Sequence, residues 1–341
     1  MQSDFWRDLD LRIELLILTG LPSTPRTQYR GANASIGLGR SDLEAFRALN
    51  GNLLRIRLRP PETPSAPVTT AAYAEEYLCE IQRGVQELAA LLPVCAELDL
   101  GVLVAMHRPP GWIRGEEVSE SLLFQEPWAR RLWLQAWQLV VAQLVHHDGL
   151  WGYDLLDHPR CAPGVWRALA GEAIDCIRRL DTRRRIVVQA PFAAPSRLAE
   201  LEPFARRKNV VYAVHVMAPR EFTRQPLPDR ATNTYPGVYR GEDWNFGRLR
   251  AYFAPVRRFQ QAHGVPILLS EIAVSRWAPG ALAFLQDVVR LAERYAWDWC
   301  YNDFRGPNEW DLERGFDPDA PRLLISPQGQ MLRNYLIRNR L

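Results

Sequence analysis

The chain has few cysteines, and those it has are poorly arranged for chemistry. Cys79, Cys95, Cys161, Cys176 and Cys300 are odd in number and widely spaced, with no C-x-x-C pair. That excludes a disulfide framework and a thiolate zinc site, and reduced thiols are expected. No window approaches the ~18 uninterrupted apolar residues of a membrane-spanning helix, so no membrane partner is expected. The N-terminus lacks a basic segment, and the apolar run Ile13 to Leu18 is too short for a signal peptide. A cytoplasmic location is the resulting expectation. Charge of one sign is also lacking: 42 Lys plus Arg against 39 Asp plus Glu leave a formal balance of +3, which gives no reason to expect nucleic acid. No glycine-rich phosphate turn follows any strand, and no repeat of 20–50 residues is visible. No cofactor is expected.

What is present describes a folded, soluble-type chain. Hydrophobic residues make up 47% of the 341 and charged residues 24%. Twelve tryptophans is a high count. Their faces stack on sugar rings, although most tryptophans simply fill cores.

The hydrophobic pattern alternates between short continuous runs and amphipathic stretches. Extended runs are expected at 29–34, 53–58, 101–106, 150–156, 185–189, 209–216, 266–269 and 297–301. Helices are expected near 41–49 (with Ser41 as N-cap), 74–98, 128–145, 163–180, 196–204, 246–263, 279–295 and 328–339. A Pro-rich loop is expected at 60–70 and a long polar loop from Pro219 to about Asp243. Continuous apolar strands, each followed by a helix, predict a parallel sheet buried on both faces. Eight such units predict an α/β fold of the (β/α)8 TIM-barrel type. Residues 1–25 read as an N-terminal extension packing on a single barrel domain over 26–341.

In such barrels the chemistry lies at the C-terminal strand ends. The polar residues there are Arg55 on the second strand, His107 closing the third, Asp157 and His158 closing the fourth, and His215 on the sixth. Ser270 and Glu271 close the seventh, and Trp299 and Tyr301 lie on the eighth. A lone strand-end histidine is more often a hydrogen-bonded scaffold group than a catalyst. Convergence of several favours a site, because burying them unpaired would cost ~1–3 kcal/mol each.

The order of motifs resembles glycoside hydrolase family 5, the cellulase type. Arg30-Gly31-Ala32-Asn33 resembles its "RG-x-N", and Asn52 to Arg57 resembles "N-x-x-R-I-P" with Arg57 where proline is usual. His107 to Gly111 resembles "H-x-x-P-G", and Tyr153 to Pro159 resembles "Y-E-L-x-N-E-P". His215-Val216-Met217 resembles "H-F-Y", Gly264 to Glu271 resembles "G-x-P-x-x-x-G-E-F", and Trp297 to Tyr301 resembles "W-x-W-x-Y". The resemblance spans about 26–335. It implies a nucleophile at Glu271 and an acid/base at position 158, normally two glutamates ~5–5.5 Å apart. It implies that Arg55 holds Glu271, that His107 and His215 position substrate hydroxyls, that Trp299 floors the sugar subsite and that Tyr301 joins the substrate site. Tyr235 and Trp244 are candidate groove walls, or structural residues.

Three central positions depart from the family pattern: His158 replaces the acid/base glutamate, Asp157 the preceding asparagine, and Met217 the tyrosine. Asp157 and Glu271 should favour a charged His158 imidazolium able to act as acid. The expected function is acid/base chemistry on a carbohydrate or sugar-like metabolite, with a small molecule or an oligosaccharide as partner. The alternatives are a non-catalytic carbohydrate binder and a repurposed, non-hydrolytic enzyme of a biosynthetic pathway. A metal centre built from His107, His158, His215, Asp157 and Glu271 is not expected, because no H-x-H or H-E-x-x-H spacing occurs. His146-His147 and Glu116-Glu117 read as solvated groups, with a place on the groove rim as the alternative for the latter pair.

Overall fold

A computed structural model describes residues 27–60, 70–112, 121–162, 164–225, 233–317, 319, 321–323 and 326–340. The expected N-terminal extension, most of the Pro-rich loop, and Glu116-Glu117 lie outside the described residues.

Eight parallel strands close into a barrel in the order β1-β10-β9-β6-β5-β4-β3-β2. They are β1 (Arg30–Ser35), β2 (Leu53–Leu58), β3 (Gly101–Met106), β4 (Leu150–Asp154), β5 (Arg185–Gln189), β6 (Val210–Val216), β9 (Ile267–Ile272) and β10 (Asp298–Tyr301). The outer layer holds α1 (Arg40–Ala48), α2 (Thr70–Glu97), α3 (Pro127–Leu144), α4 (Val165–Arg178), α6 (Phe246–His263), α7 (Ala281–Arg294) and α8 (Pro327–Leu336). The TIM barrel read from the alternation is the observed fold. Among the described residues no helix is long and apolar enough to cross a membrane.

Local differences from the expected elements have simple causes. The first helix is capped at Gly39, where the Asp42 carboxylate accepts from the Gly39 backbone N–H, so Ser41 lies inside the first turn. The stretch 195–204 is a 3-10 helix, carrying Pro203, which has no amide proton to donate to an α-helical ladder. The long polar loop contains a four-residue helix, α5 (Arg220–Thr223), and an antiparallel hairpin of β7 (Gly237–Tyr239) and β8 (Glu242–Trp244).

Strand side chains divide between two cores. Leu53, Leu103, Val187, Val211, Ala213, Leu268 and Cys300 fill the barrel interior. Leu54, Val104, Tyr153, Val214, Leu269, Trp299 and Tyr301 pack outward against the helices. Arg30 to Ala32 must lie tight against β2, since a Cβ on Gly31 would meet the Leu53 carbonyl oxygen at 1.7 Å.

Two irregularities decide which polar groups enter the barrel. Along β9 the pairing steps from Val214–Leu269 to His215–Glu271, inserting one extra residue at Ser270. Strict alternation would put Glu271 on the outer face with Leu269; the bulge turns it inward. On β4 the pairing steps from Val102–Leu150 to Leu103–Gly152, and this brings Asp154 inward beneath the strand end.

Candidate active site

Arg55 alternates with Leu53 and so points into the barrel, where it is fully buried. Its Nε donates to Asp154 Oδ2 at 2.8 Å, and its Nη1 donates to Asn33 Oδ1 at 2.8 Å and to Glu271 Oε1 at 3.0 Å. Its Nη2 donates to Asp157 Oδ1. One guanidinium thus ties together the ends of β1, β2, β4 and β9. Arg57, one alternation further up, donates to Asp303 and to Asn302 Oδ1, and its Nη1 lies 3.7 Å from Glu271 Oε1. The arginine that stands where proline is usual is therefore a second cation beside Glu271.

Gln189, the last residue of β5, is the other organiser. Its side-chain amide donates to Asp154 Oδ2 at 2.9 Å and to Asp157 Oδ1 at 3.3 Å, while its carbonyl oxygen accepts the His158 backbone N–H at 2.8 Å. That bond holds His158 with a φ of 50°, in the left-handed region.

The histidines surround Asp157. His107 Nε2 lies 3.7 Å from Asp157 Oδ2 and His215 Nε2 lies 3.6 Å from Asp157 Oδ1. The other nitrogen of His215 is 3.8 Å from Glu271 Oε2, so this ring stands between the two carboxylates, with neither nitrogen hydrogen-bonded among the described residues. His158 makes no ion pair with Glu271 among the described residues. Its ring packs edge-on against His215, with centroids 5.4 Å apart.

The electrostatics reverse one expectation. Burial pushes His158 down to about 3, and His215, Arg160 and Arg224 add to that; Asp157 alone pulls the other way. Burial likewise lowers His107 to about 3 and His215 to about 4. His158 is therefore a neutral imidazole at neutral pH, not the imidazolium expected, because desolvation and nearby guanidinium groups outweigh one carboxylate. Burial raises Glu271, with Asp157 adding to it, against Arg55 and Arg57. Asp157 goes the other way: burial would raise it, but Arg55, His107 and His215 together hold it well below the usual range. Burial lifts Asp154 and Asp303 to about 6.

A pH prediction follows. Of the six histidines, His107, His158 and His215 should show no imidazole NMR titration between pH 5 and 8. Unfolding near pH 5 then adds up to three protons to these rings but releases about two from Asp154 and Asp303. The net gain of about one proton means that stability declines on acidification by no more than about 1.4 kcal/mol per pH unit. A full titration of His158 near pH 6.5 would contradict the buried-neutral assignment.

Two expected substrate contacts are not at the site. Trp299 faces the helix layer, fully buried, and its Nε1 donates to Glu293 Oε1 at 3.0 Å. Tyr301 is also buried on that outer face. Both lie an even number of residues apart on β10, and the inward position between them belongs to Cys300. Trp299→Phe is expected to cost about 1–3 kcal/mol through the lost hydrogen bond and cavity, while leaving saccharide affinity unchanged. Calorimetry with oligosaccharides checks this, and a marked loss of affinity would return Trp299 to the site. Tyr235 and Trp244 are buried too. Tyr235 packs between Phe222 and Phe284 and donates to Asp287 Oδ2 at 2.8 Å, and Trp244 packs on Tyr252.

Half-buried aromatics at the strand ends are Trp112, beneath Arg108, and Trp310, beneath Arg224. Sequence reasoning missed these, along with Asn33, Arg57, Asp154, Gln189 and Asp303. Gln189 carried a visible signal, as the polar residue closing the fifth apolar run. Of the five residues weighed as metal ligands, only Asp157, His215 and Glu271 bring donor atoms within 4.8 Å of one another, and Arg55 already bonds both carboxylates.

Known proteins match this chain in sequence and in fold. The cellulase family, glycosyl hydrolase family 5, matches residues 40–305. Endoglucanase C of Acetivibrio thermocellus is 24% identical over 261 residues, covering 66% of this chain and 76% of that protein. Endoglucanase C307 of a Clostridium species is equally similar. Among solved structures, one described as a glycoside hydrolase superposes with a TM-score of 0.73 at 18% identity, covering 92% of this chain and 100% of the other. A hyperthermophilic endo-beta-1,4-glucanase gives 0.68 at 18%, covering 90% and 97%. With the barrel closed in this order, Glu271 at the end of its penultimate strand and a match through most of its length, the chain belongs to the cellulase family, glycosyl hydrolase family 5.

Proposed function

We propose that this chain is a glycosidase-like enzyme acting on a carbohydrate acetal, with Glu271 as the attacking carboxylate and His158 in place of the second glutamate. The observation that carries this reading is Glu271 itself. It is turned inward by the β9 bulge, held by Arg55 at 3.0 Å and flanked by His215 and Arg57 at the C-terminal rim. Relatives named endoglucanases support an oligosaccharide as substrate class.

The chemistry divides into two halves. Ionised Glu271 attacks the anomeric carbon, its oxygen bonding to that carbon while the bond to the leaving oxygen breaks and takes the electron pair with it. A neutral His158 is too weak an acid to protonate a poor leaving group. Substrates whose leaving group departs as a stable anion are therefore favoured, and ordinary glucan hydrolysis is expected to be slow. In the second half a water oxygen bonds to the anomeric carbon as the bond from that carbon to the Glu271 oxygen breaks, releasing the carboxylate, and the water's proton passes by way of neutral His158 to solvent.

Nitrophenyl glycosides test this directly. His158→Ala should still release a burst of nitrophenolate equal to the enzyme present, followed by turnover slowed about 10²-fold. Steady-state rates equal to the parent's would remove His158 from the reaction. A second reading, a carbohydrate binder without turnover, is favoured by the same neutral imidazole. It predicts saccharide binding with no nitrophenolate release from any glycoside.

A further inference from the structure

The inner site and its mouth carry opposite charge. At the floor, four carboxylates (Asp154, Asp157, Glu271, Asp303) face two guanidinium groups, Arg55 and Arg57. One step outward the balance inverts. Arg59 follows β2, Arg108 follows His107, Arg160 lies two residues after His158, and Arg224 closes α5. Glu309, a carboxylate near Arg224, accepts from Ser275 Oγ.

Elsewhere many arginines are engaged by carboxylates or by backbone carbonyls: Arg30 by Glu293, Arg197 by Glu200, Arg207 by Asp175 and Arg305 by Glu313, Arg178 and Arg184 by main-chain oxygens. Arg59, Arg160 and Arg224 have no carboxylate within ion-pair distance among the described residues. Arg59 and Arg224 both reach solvent. Arg224 lies over Trp310, its guanidinium carbon 5.3 Å from the ring centre, and donates to the Met217 thioether. It therefore rests on the residue that replaces the family's tyrosine. The pKa values of Arg59 and Arg224 are lowered, Arg59 by burial and then by Arg57 against Asp303 and Asp157, Arg224 by burial and then by Arg220 against Glu309 and Glu271. Arg160 is also a repulsive neighbour of Arg224 and, with it, of His158. Cations crowded together beside a cleft are stabilised by an anion that enters it, and a guanidinium fork matches an oxyanion with two parallel hydrogen bonds.

We propose that the mouth of the site selects an anionic saccharide, whose carboxylate, sulfate or phosphate ester is held by Arg160 and Arg224 on one side of the histidines, with Arg59 offering a second such position. This rests on the reading that the site takes carbohydrate. It adds that charge, not only ring shape, decides which one. The half-buried Trp112 and Trp310 supply apolar surface beside the charges, so a ring and its anionic substituent are recognised together.

The experiment is calorimetric binding to the full chain at low salt, with four oligosaccharides of equal length: a neutral glucan and its uronate, sulfated and phosphorylated counterparts. At least one anionic form should bind about 10-fold or more tightly than the neutral one, and that preference should shrink as salt is added. In the double variant Arg160→Gln/Arg224→Gln, verified as folded by its melting temperature, the preference should fall toward unity. The arm with the strongest preference identifies the anion. Equal or tighter binding of the neutral glucan, or a preference that survives the double substitution, overturns this proposal and leaves the carbohydrate reading standing. No binding of any of the four overturns both.

Discussion

Arg55→Leu is expected to lower stability by about 3–5 kcal/mol at pH 8, the largest loss from any single polar substitution in this chain. The side chain is fully buried and bonds three carboxylates and Asn33 at once. Leucine fills much of the volume but leaves Asp154 and Asp157 without a guanidinium partner in the barrel interior, and Glu271 with Arg57 alone at 3.7 Å. Those carboxylates would then hold protons in the folded state that the unfolded chain releases above about pH 4. The variant should accordingly lose stability as pH rises, and regain part of it near pH 5. Thermal melts across pH 5–8 read this out. A variant melting with the parent at pH 8 would mean that Arg55 does not hold the site together.

Glu271→Gln should cut turnover of activated glycosides by about 10²–10⁴-fold while leaving fold and saccharide binding in place. Glutamine keeps the size of the side chain and can still accept the Arg55 hydrogen bond, now 3.0 Å long. What it loses is the charge and the ability to form the ester. Because burial raises the Glu271 pKa, kcat/KM of the parent should climb with pH through a value above that of an ordinary glutamate, and this limb should vanish in the variant. His158 should add no break near pH 6.5, since its ring is held neutral down to about 3. Parent-like turnover by Glu271→Gln would move the chemistry to Asp157, the other buried carboxylate at this rim.

Much of this was legible one residue at a time. Strand and helix positions follow from apolar period alone, and the inward direction of Arg55 follows from its spacing to Leu53. Convergence of Arg55, His107, Asp157, His215 and Glu271 follows from their lying at the same end of parallel strands. The same rule, applied to the fifth strand, would have found Gln189. The final-strand motif of the resemblance assigns Trp299 and Tyr301 to the substrate site, whereas their parity with inward-facing Cys300 puts them on the helix side.

Sequence by itself determined the barrel, its strand order and that Arg55, His107, Asp157, His158, His215 and Glu271 lie at one end of it, because these depend on local period and on which strand end each residue closes. Tertiary structure alone decided that Glu271 faces inward, since a one-residue bulge in β9 reverses what alternation dictates. It alone decided that His158 is neutral, since proton affinity depends on the summed field of groups far apart in the chain. Asp157, His215, Arg160 and Arg224 meet around that ring only once the barrel closes, and with burial they hold the proton off it.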